Sequence, residues 1–156
     1  MAHVGLYAAG PNAVAAVAMI CTSIHSDRTG ERRWHTAIAA LTGAAALMML
    51  PLAGTNMMLS FALLCIAAGG IFATVPLFWA IPSAYLSGTA GAAVGIATIS
   101  SIGLLGGFIS PVVIGWLKTK TGSMDAGLYT FAALFACRAV LLLVITRTPR
   151  LRGRDA

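Results

Sequence analysis

Apolar and polar residues are segregated along this chain into long blocks. Five apolar blocks, at about residues 4–24, 34–53, 57–82, 91–118 and 126–146, are separated by short polar or glycine-containing breaks. Each approaches or exceeds the roughly 20 residues a helix needs to cross the hydrocarbon of a bilayer. The blocks are apolar on every side and lack the period-2 alternation of barrel strands. The pattern therefore predicts an all-α, polytopic membrane protein with five transmembrane helices.

Breaks inside the blocks refine this picture. Gly10-Pro11-Asn12 interrupts the first; Pro11 lacks a backbone donor and its ring clashes with the preceding turn, so a bend or break is expected there. Asn12 would either bond a neighbouring helix or face a wet cavity. The second block ends at Pro51 and the uncharged turn Gly54-Thr55-Asn56. The third has Gly69-Gly70 in its middle and Pro76 and Pro82 near its end. Residues 76–82 are accordingly not expected to form a regular helix, with 83–90 an uncharged linker.

In the fourth block Gly91, Gly95, Gly103, Gly107 and Gly115 recur at multiples of four, with Pro111 on the same row. Such a row drifts by about 40° per step at 3.6 residues per turn, so it makes two small-residue patches suited to close helix packing. Ser100 and Ser101 lie between the patches, near mid-bilayer. Residues 118–125 form a turn. The fifth block contains Arg138; an intramembrane arginine is costly and points to function, although snorkelling to the basic end, about 13 Å away at 1.5 Å per residue, competes with that role.

Charge fixes the orientation. Only 9% of residues are charged and 59% are hydrophobic, against about a quarter charged in soluble domains. The run at 25–35 nevertheless holds two of the four acidic residues and three of the ten basic ones, which marks a water-exposed turn. Seven basic residues flank spans, namely Arg28, Arg32 and Arg33 in this turn and Arg147, Arg150, Arg152 and Arg154 in the tail. Four spans separate the two clusters, so they share one side, and their arginine content makes it cytoplasmic. Five spans then place the N-terminus outside, with Lys118 and Lys120 on the outer side.

The net charge of +6 does not indicate nucleic acid, since no basic stripe with interleaved aromatics is present. Cys21, Cys65 and Cys137 fall inside apolar blocks and read as buried small hydrophobes. His3, His25 and His35 lie at or near span ends, with no metal-ligand spacing and no nucleophile–base pairing. No enzyme activity, cofactor or metal is expected. The N-terminus lacks the charged region and cleavage site of a removable signal peptide.

Ser26-Asp27-Arg28-Thr29-Gly30-Glu31-Arg32-Arg33 resembles the loop signature of the major facilitator superfamily, a D-R-x-G-x-R-R pattern found between helices 2 and 3 and between helices 8 and 9. With Trp34-His35 following, it is similar to the helix 8–9 loop of the anion:cation symporter family, which includes tartrate, phthalate, hexuronate and galactonate permeases. Phe78-Trp79-Ala80-Ile81-Pro82-Ser83, then Gly103, Gly106-Gly107-Phe108, Pro111, Gly115-Trp116-Leu117-Lys118 and Thr121-Gly122, resemble that family's helices 10 to 12. Nearly the whole chain is covered. Residues 1–156 would be a partial C-terminal six-helix half, its spans corresponding to helices 8–12, with helices 1–7 missing.

The resemblance implies a piece of a secondary active transporter, a proton-coupled symporter of small organic anions (carboxylates or sugar acids) in the inner (plasma) membrane, inactive without the N-terminal half. Asp27 would be the acid of a cytoplasmic gate latch, Gly30 its turn residue, Arg28 and Arg32 its basic partners and Arg33 part of the same motif. The latch works because an acid at a helix tip can meet the positive N-terminal end of a facing helix. Trp79 and Ser100, with Tyr7 and Asn12, are the positions expected to line the anion site. Two departures bear on substrate. The family's helix 11 pattern N-S-x-G-N reads Ser100-Ser101-Ile102-Gly103-Leu104, losing both amides, and Ser23 replaces the usual glycine before the loop acid. The alternative is a free-standing five-span membrane protein that binds or scaffolds a partner through its glycine patches.

Overall fold

The computed structural model describes residues 2–145; the four tail arginines lie outside the described residues. Five helices follow one another: α1 (Ala2–Thr29), α2 (Arg32–Met49), which continues as a 3-10 turn (Leu50–Ala53), α3 (Met57–Leu86), α4 (Ala92–Thr121) and α5 (Asp125–Ile145). No strand occurs among the described residues. Arg32–Ala53, α3, α4 and Asp125–Val144 are long and apolar enough to cross a membrane. α3 and α4 have 30 residues each, about 45 Å at 1.5 Å per residue, so both outreach the roughly 30 Å hydrocarbon core.

The helices run past the apolar blocks. α1 extends through His25–Thr29, and α2 begins at Arg32, leaving only Gly30 and Glu31 outside helix in the charged run. Hydrocarbon limits where a span must be apolar, not where a helix must stop. Gly30 ends α1 with φ +67° and its N–H bonds the Ser26 carbonyl at 2.9 Å, the left-handed C-terminal geometry that glycine adopts without a Cβ clash.

The prolines do not act as breaks. α1 is helical through Pro11, and α3 continues through Pro76 and Pro82 to Leu86, where the sequence suggests an irregular segment from 76 and a linker from 83. Each proline removes one backbone donor. Breaking the helix in hydrocarbon would strand several groups at once, so a continuous helix is the lower-energy outcome.

α3 packs against α1 and α2, and α2 packs against α5 on its other side. The core is mostly alanine: Ala46, Ala53, Ala67 and Ala132, with Leu47 and Leu63. Its tightest point is where α2 crosses α3. A Cβ on Gly70 would lie 2.6 Å from Gly43 N and 2.7 Å from Ala39 O, so the two backbones are nearly in contact. In lipid such packing, rather than apolar burial, holds helices together.

α4 stands apart. None of its residues is buried, and it touches α3 and α5 only sparsely. A Cβ on Gly91, Gly103, Gly107 or Gly115 would meet nothing within 4 Å; Gly95 alone of the row meets a neighbour, Leu86 of α3. Pro111 is exposed. The close packing expected of this row is therefore not made within the described residues; it occurs at Gly43 and Gly70 instead. Cys21 and Cys137 also lie on outer faces, and Cys65 is half-buried, so the thiols are not the core residues the sequence suggests.

Candidate functional site

The short Gly30–Glu31 link brings the end of α1 and the start of α2 side by side. Arg32 Nη2 donates to Asp27 Oδ1 at 3.1 Å, the ion pair found among the described residues. Both side chains are substantially solvated, 40% exposed for Arg32 and 64% for Asp27, so the pair orients the arginine more than it stabilises the fold. The other arm of Arg32, Nη1, donates to the Ala80 carbonyl of α3 at 3.4 Å. One guanidinium thus ties the helix junction to α3.

Arg33 reaches the other way. Its Nη2 donates to the Leu143 carbonyl near the end of α5, and its guanidinium lies 5.9 Å from the Trp34 ring centre. Cationic donors on late helical carbonyls complement the negative end of the helix dipole. The junction, the last part of α3 and the last part of α5 consequently gather at one end of the molecule.

Local bonds hold this junction in shape. Thr36 is buried and donates to the Arg32 carbonyl at 2.7 Å; Thr29 Oγ1 donates to the His25 carbonyl at 3.0 Å. The His25 and His35 rings are 5.0 Å apart, and His35 Nδ1 lies 2.6 Å from the Glu31 carbonyl. Arg28 is exposed and has no partner among the described residues. A cleft of about 500 Å³ runs along Thr29–Trp34 to Ile81.

Immediately before Ala80 on α3 comes Trp79. It lines a cleft of about 540 Å³ between α3 and α4, with Phe78, Ile99, Ser100, Ile102 and Gly103. Trp79 and Ser100 are therefore brought together. Both lie about 10 Å from the middles of their helices at 1.5 Å per residue, towards the end that carries the charged junction. Ser100 Oγ donates to the Ile96 carbonyl at 2.9 Å.

Tyr7 belongs elsewhere. It borders a separate cleft of about 800 Å³ between α1 and α3, with Pro11, Met57 and Phe61, its ring edge-on to Phe61 at 6.0 Å. Asn12, on α1, is exposed and is not among the residues lining the Trp79 cleft. Arg138 turns inward rather than towards the chain end: its Nη1 donates to Thr74 Oγ1 at 3.1 Å, and the guanidinium lies over Phe78 and Phe135 at 5.5 and 5.9 Å. The partners of Arg32, Arg33 and Arg138 on α3 and α5 are not legible from spacing, since each lies 48 or more residues away in sequence.

Comparison with known proteins adds the context this geometry lacks. The chain is 46% identical over 146 residues to a "Putative tartrate transporter" of Agrobacterium vitis, an alignment covering 94% of this chain and 32% of that protein. It is 33% identical to a "Putative metabolite transport protein NicT" of Pseudomonas putida over 92% of this chain and 32% of the relative. It is 39% identical to "Inner membrane transport protein RhmT" of Escherichia coli over 78% of this chain and 28% of the relative. The chain spans about a third of the length of the curated relatives it matches. No family model and no solved structure matches it.

Proposed function

From a chain homologous along nearly its whole length to major facilitator-type transporters, and multi-pass in a membrane, we propose one wall and one gate of an organic-anion transporter. Five spans, α1 included, form most of a C-terminal half-bundle in the inner membrane. The 25–35 junction and the tail face the cytoplasm, in keeping with their arginine content. The remaining helices, corresponding to 1–7, complete this half and form the opposite one, and cover the α4 face that has no neighbour among the described residues.

The reading is carried by Arg32, which bonds both Asp27 at the junction and the carbonyl of Ala80, the residue next to Trp79. Any movement that separates the junction from the opposite half pulls on the segment of α3 that lines the cleft. Gate and anion site are thereby mechanically linked, as alternating access requires. Asp27 acts as the latch acid, Arg28, Arg32 and Arg33 as its cationic frame, and Gly30 as the turn. Trp79 supplies an aromatic wall, and Ser100 contacts a small carboxylate by turning its hydroxyl from the Ile96 carbonyl to the anion; Tyr7 and Asn12, on another face of α3's neighbour α1, contribute only if the opposite half reaches them. Proton symport drives uptake, the titrating group lying outside this chain.

The test is reconstitution. The chain is co-expressed with the missing helices of the tartrate transporter relative, and uptake of tartrate and a panel of carboxylates into vesicles is measured under an imposed proton gradient. Gradient-dependent uptake is expected. Uptake at the empty-vesicle level across the panel would refute the proposal, and uptake indifferent to the gradient would remove the proton from it.

A further inference from the structure

Arg138 lies in the second half of α5 without an acid to pair with. Asp and Glu are absent from α2, α3 and α4, and Asp125 sits at the far end of α5. What holds its guanidinium belongs mostly to α3. Nη1 donates to Thr74 Oγ1 at 3.1 Å, and the charge lies 5.5 Å from the centre of the Phe78 ring, with Phe135 of α5 at 5.9 Å. Thr74 and Phe78 are four residues apart and share one face of α3, as Phe135 and Arg138, three apart, share one of α5. The backbones of α3 and α5 do not approach each other closely, α2 packing against both of them. Arg138 bridges that gap with its side chain.

The bridge lands on a stretch of α3 that has lost part of its own support. Pro76 and Pro82 each remove a backbone donor, and Pro82 leaves the Phe78 carbonyl without its helical N–H partner. The helix stays continuous there but is held by fewer bonds of its own. Thr74 is fully buried and donates to the Ile71 carbonyl at 2.7 Å, which makes its oxygen a fixed acceptor for Arg138. Phe78 in turn meets Trp79 edge-on, the ring centres 5.6 Å apart and the planes at 75°. Trp79 lines the cleft with Ser100 of α4, and α4 touches α3 too sparsely to fix that wall. Arg32 holds the same stretch further along, at Ala80.

We propose that Arg138 is the positioning residue of the Trp79–Ser100 cleft: from α5 it clamps Thr74 and Phe78 of α3 and, through the Phe78 ring, sets the angle at which Trp79 faces the cleft. Its effect on transport rests on the reading of that cleft as the carboxylate site, whereas the clamp itself is measured on this chain alone. An arginine that only filled space or snorkelled would leave Trp79 unchanged when its donors are removed.

Trp34→Phe and Trp116→Phe leave Trp79 as the single indole. Its time-resolved fluorescence anisotropy is followed in the full chain in phosphatidylcholine nanodiscs, where a held ring gives a slowly decaying component. Arg138→Met keeps bulk, removes the donors and takes a charge out of the hydrocarbon, which favours insertion. The slow component is expected to be lost with helicity, read by circular dichroism, unchanged. Thr74→Val, which lacks the hydroxyl, should reduce it and Thr74→Ser should preserve it. This pair decides the matter if Arg138→Met loses helicity. Adding Thr74→Val to Arg138→Met should change nothing further, because the two groups act as one unit. In the transporter reconstituted with the missing helices, Arg138→Met should raise KM for tartrate about three- to tenfold, the factor one hydrogen bond is worth. A merely structural loss instead lowers the number of working carriers, and so the maximal rate, at unchanged KM. No uptake by the parent transporter would refute the transport reading and leave the clamp to be judged by fluorescence. Trp79 anisotropy unaltered by both Arg138→Met and Thr74→Val overturns the proposal, as does a maximal rate that falls at constant KM.

Discussion

Replacing Gly70 by alanine tests whether the α2–α3 crossing sets the stability of this helix assembly. The added Cβ would lie 2.6 Å from Gly43 N, 2.7 Å from Ala39 O and 2.8 Å from Gly43 Cα. All three are backbone atoms, so no side chain can rotate away. Carbon contacts are comfortable at about 3.5–4.0 Å, and relief requires the helices to part by roughly 1 Å along the crossing. Parting weakens the contacts that Ala67 and Ile71 make with Gly43 across the same interface. Overpacking of this kind costs about 1–3 kcal/mol. Alanine's better helix propensity opposes it by at most about 1 kcal/mol, so loss of stability wins. Gly103→Ala is the control: its Cβ meets nothing within 4 Å, and the change should be neutral or slightly favourable. Both variants are unfolded with sodium dodecyl sulfate in mixed micelles and followed by circular dichroism. A Gly70→Ala chain as stable as the parent, or a Gly103→Ala chain equally weakened, would refute the reasoning.

Four further outcomes are expected. Gly30→Ala places a side chain at φ +67° and should cost about 1–2 kcal/mol in the same unfolding assay. Asp27→Asn removes a solvated ion pair and should change stability by less than about 1 kcal/mol, yet lower uptake by the reconstituted transporter severalfold if the latch is functional. Trp79→Ala should raise KM for a carboxylate substrate while Trp79→Phe largely restores it, measured by vesicle uptake, because the aromatic surface of the cleft is what changes. Single cysteines at Glu31 and Thr89, in a chain freed of its native thiols, should react with an impermeant maleimide from one side of the membrane, and cysteines at Thr55 and Ser123 from the other. Labelling of all four from one side would break the assigned topology.

Much of the architecture is legible in the sequence because hydrocarbon imposes a coarse rule: about 20 apolar residues with charges only at the ends. Helical class follows from that rule, and four of the five predicted spans recur as helices long and apolar enough to cross a membrane, α1 not being among them. Helix ends do not follow from it, since α1 and α3 overrun their apolar blocks through Thr29 and Leu86. Prolines mislead for a related reason. In water a break at Pro76 exposes its carbonyls to solvent, whereas in a membrane the helix must carry on.

Packing is less legible, because a glycine row states that a close approach is available and not which helix makes it. The regular spacing is on α4, where four of the five glycines meet nothing among the described residues, while Gly43 and Gly70 belong to no such row and nearly touch. The difference is consistent with the proposed division of labour. Gly43–Gly70 locks α2 to α3 inside one half, where the arrangement must stay fixed. On the proposed function the α4 row is the surface that moves against the opposite half, and a face of glycines permits sliding because it carries few side chains to interlock. Asp27 and Arg32 fix the junction to Ala80, and Trp79 and Ser100 face each other across the loosely held α3–α4 gap. A small displacement of α4 changes that cleft without disturbing the α2–α3 core, which is the mechanical property an alternating-access site needs.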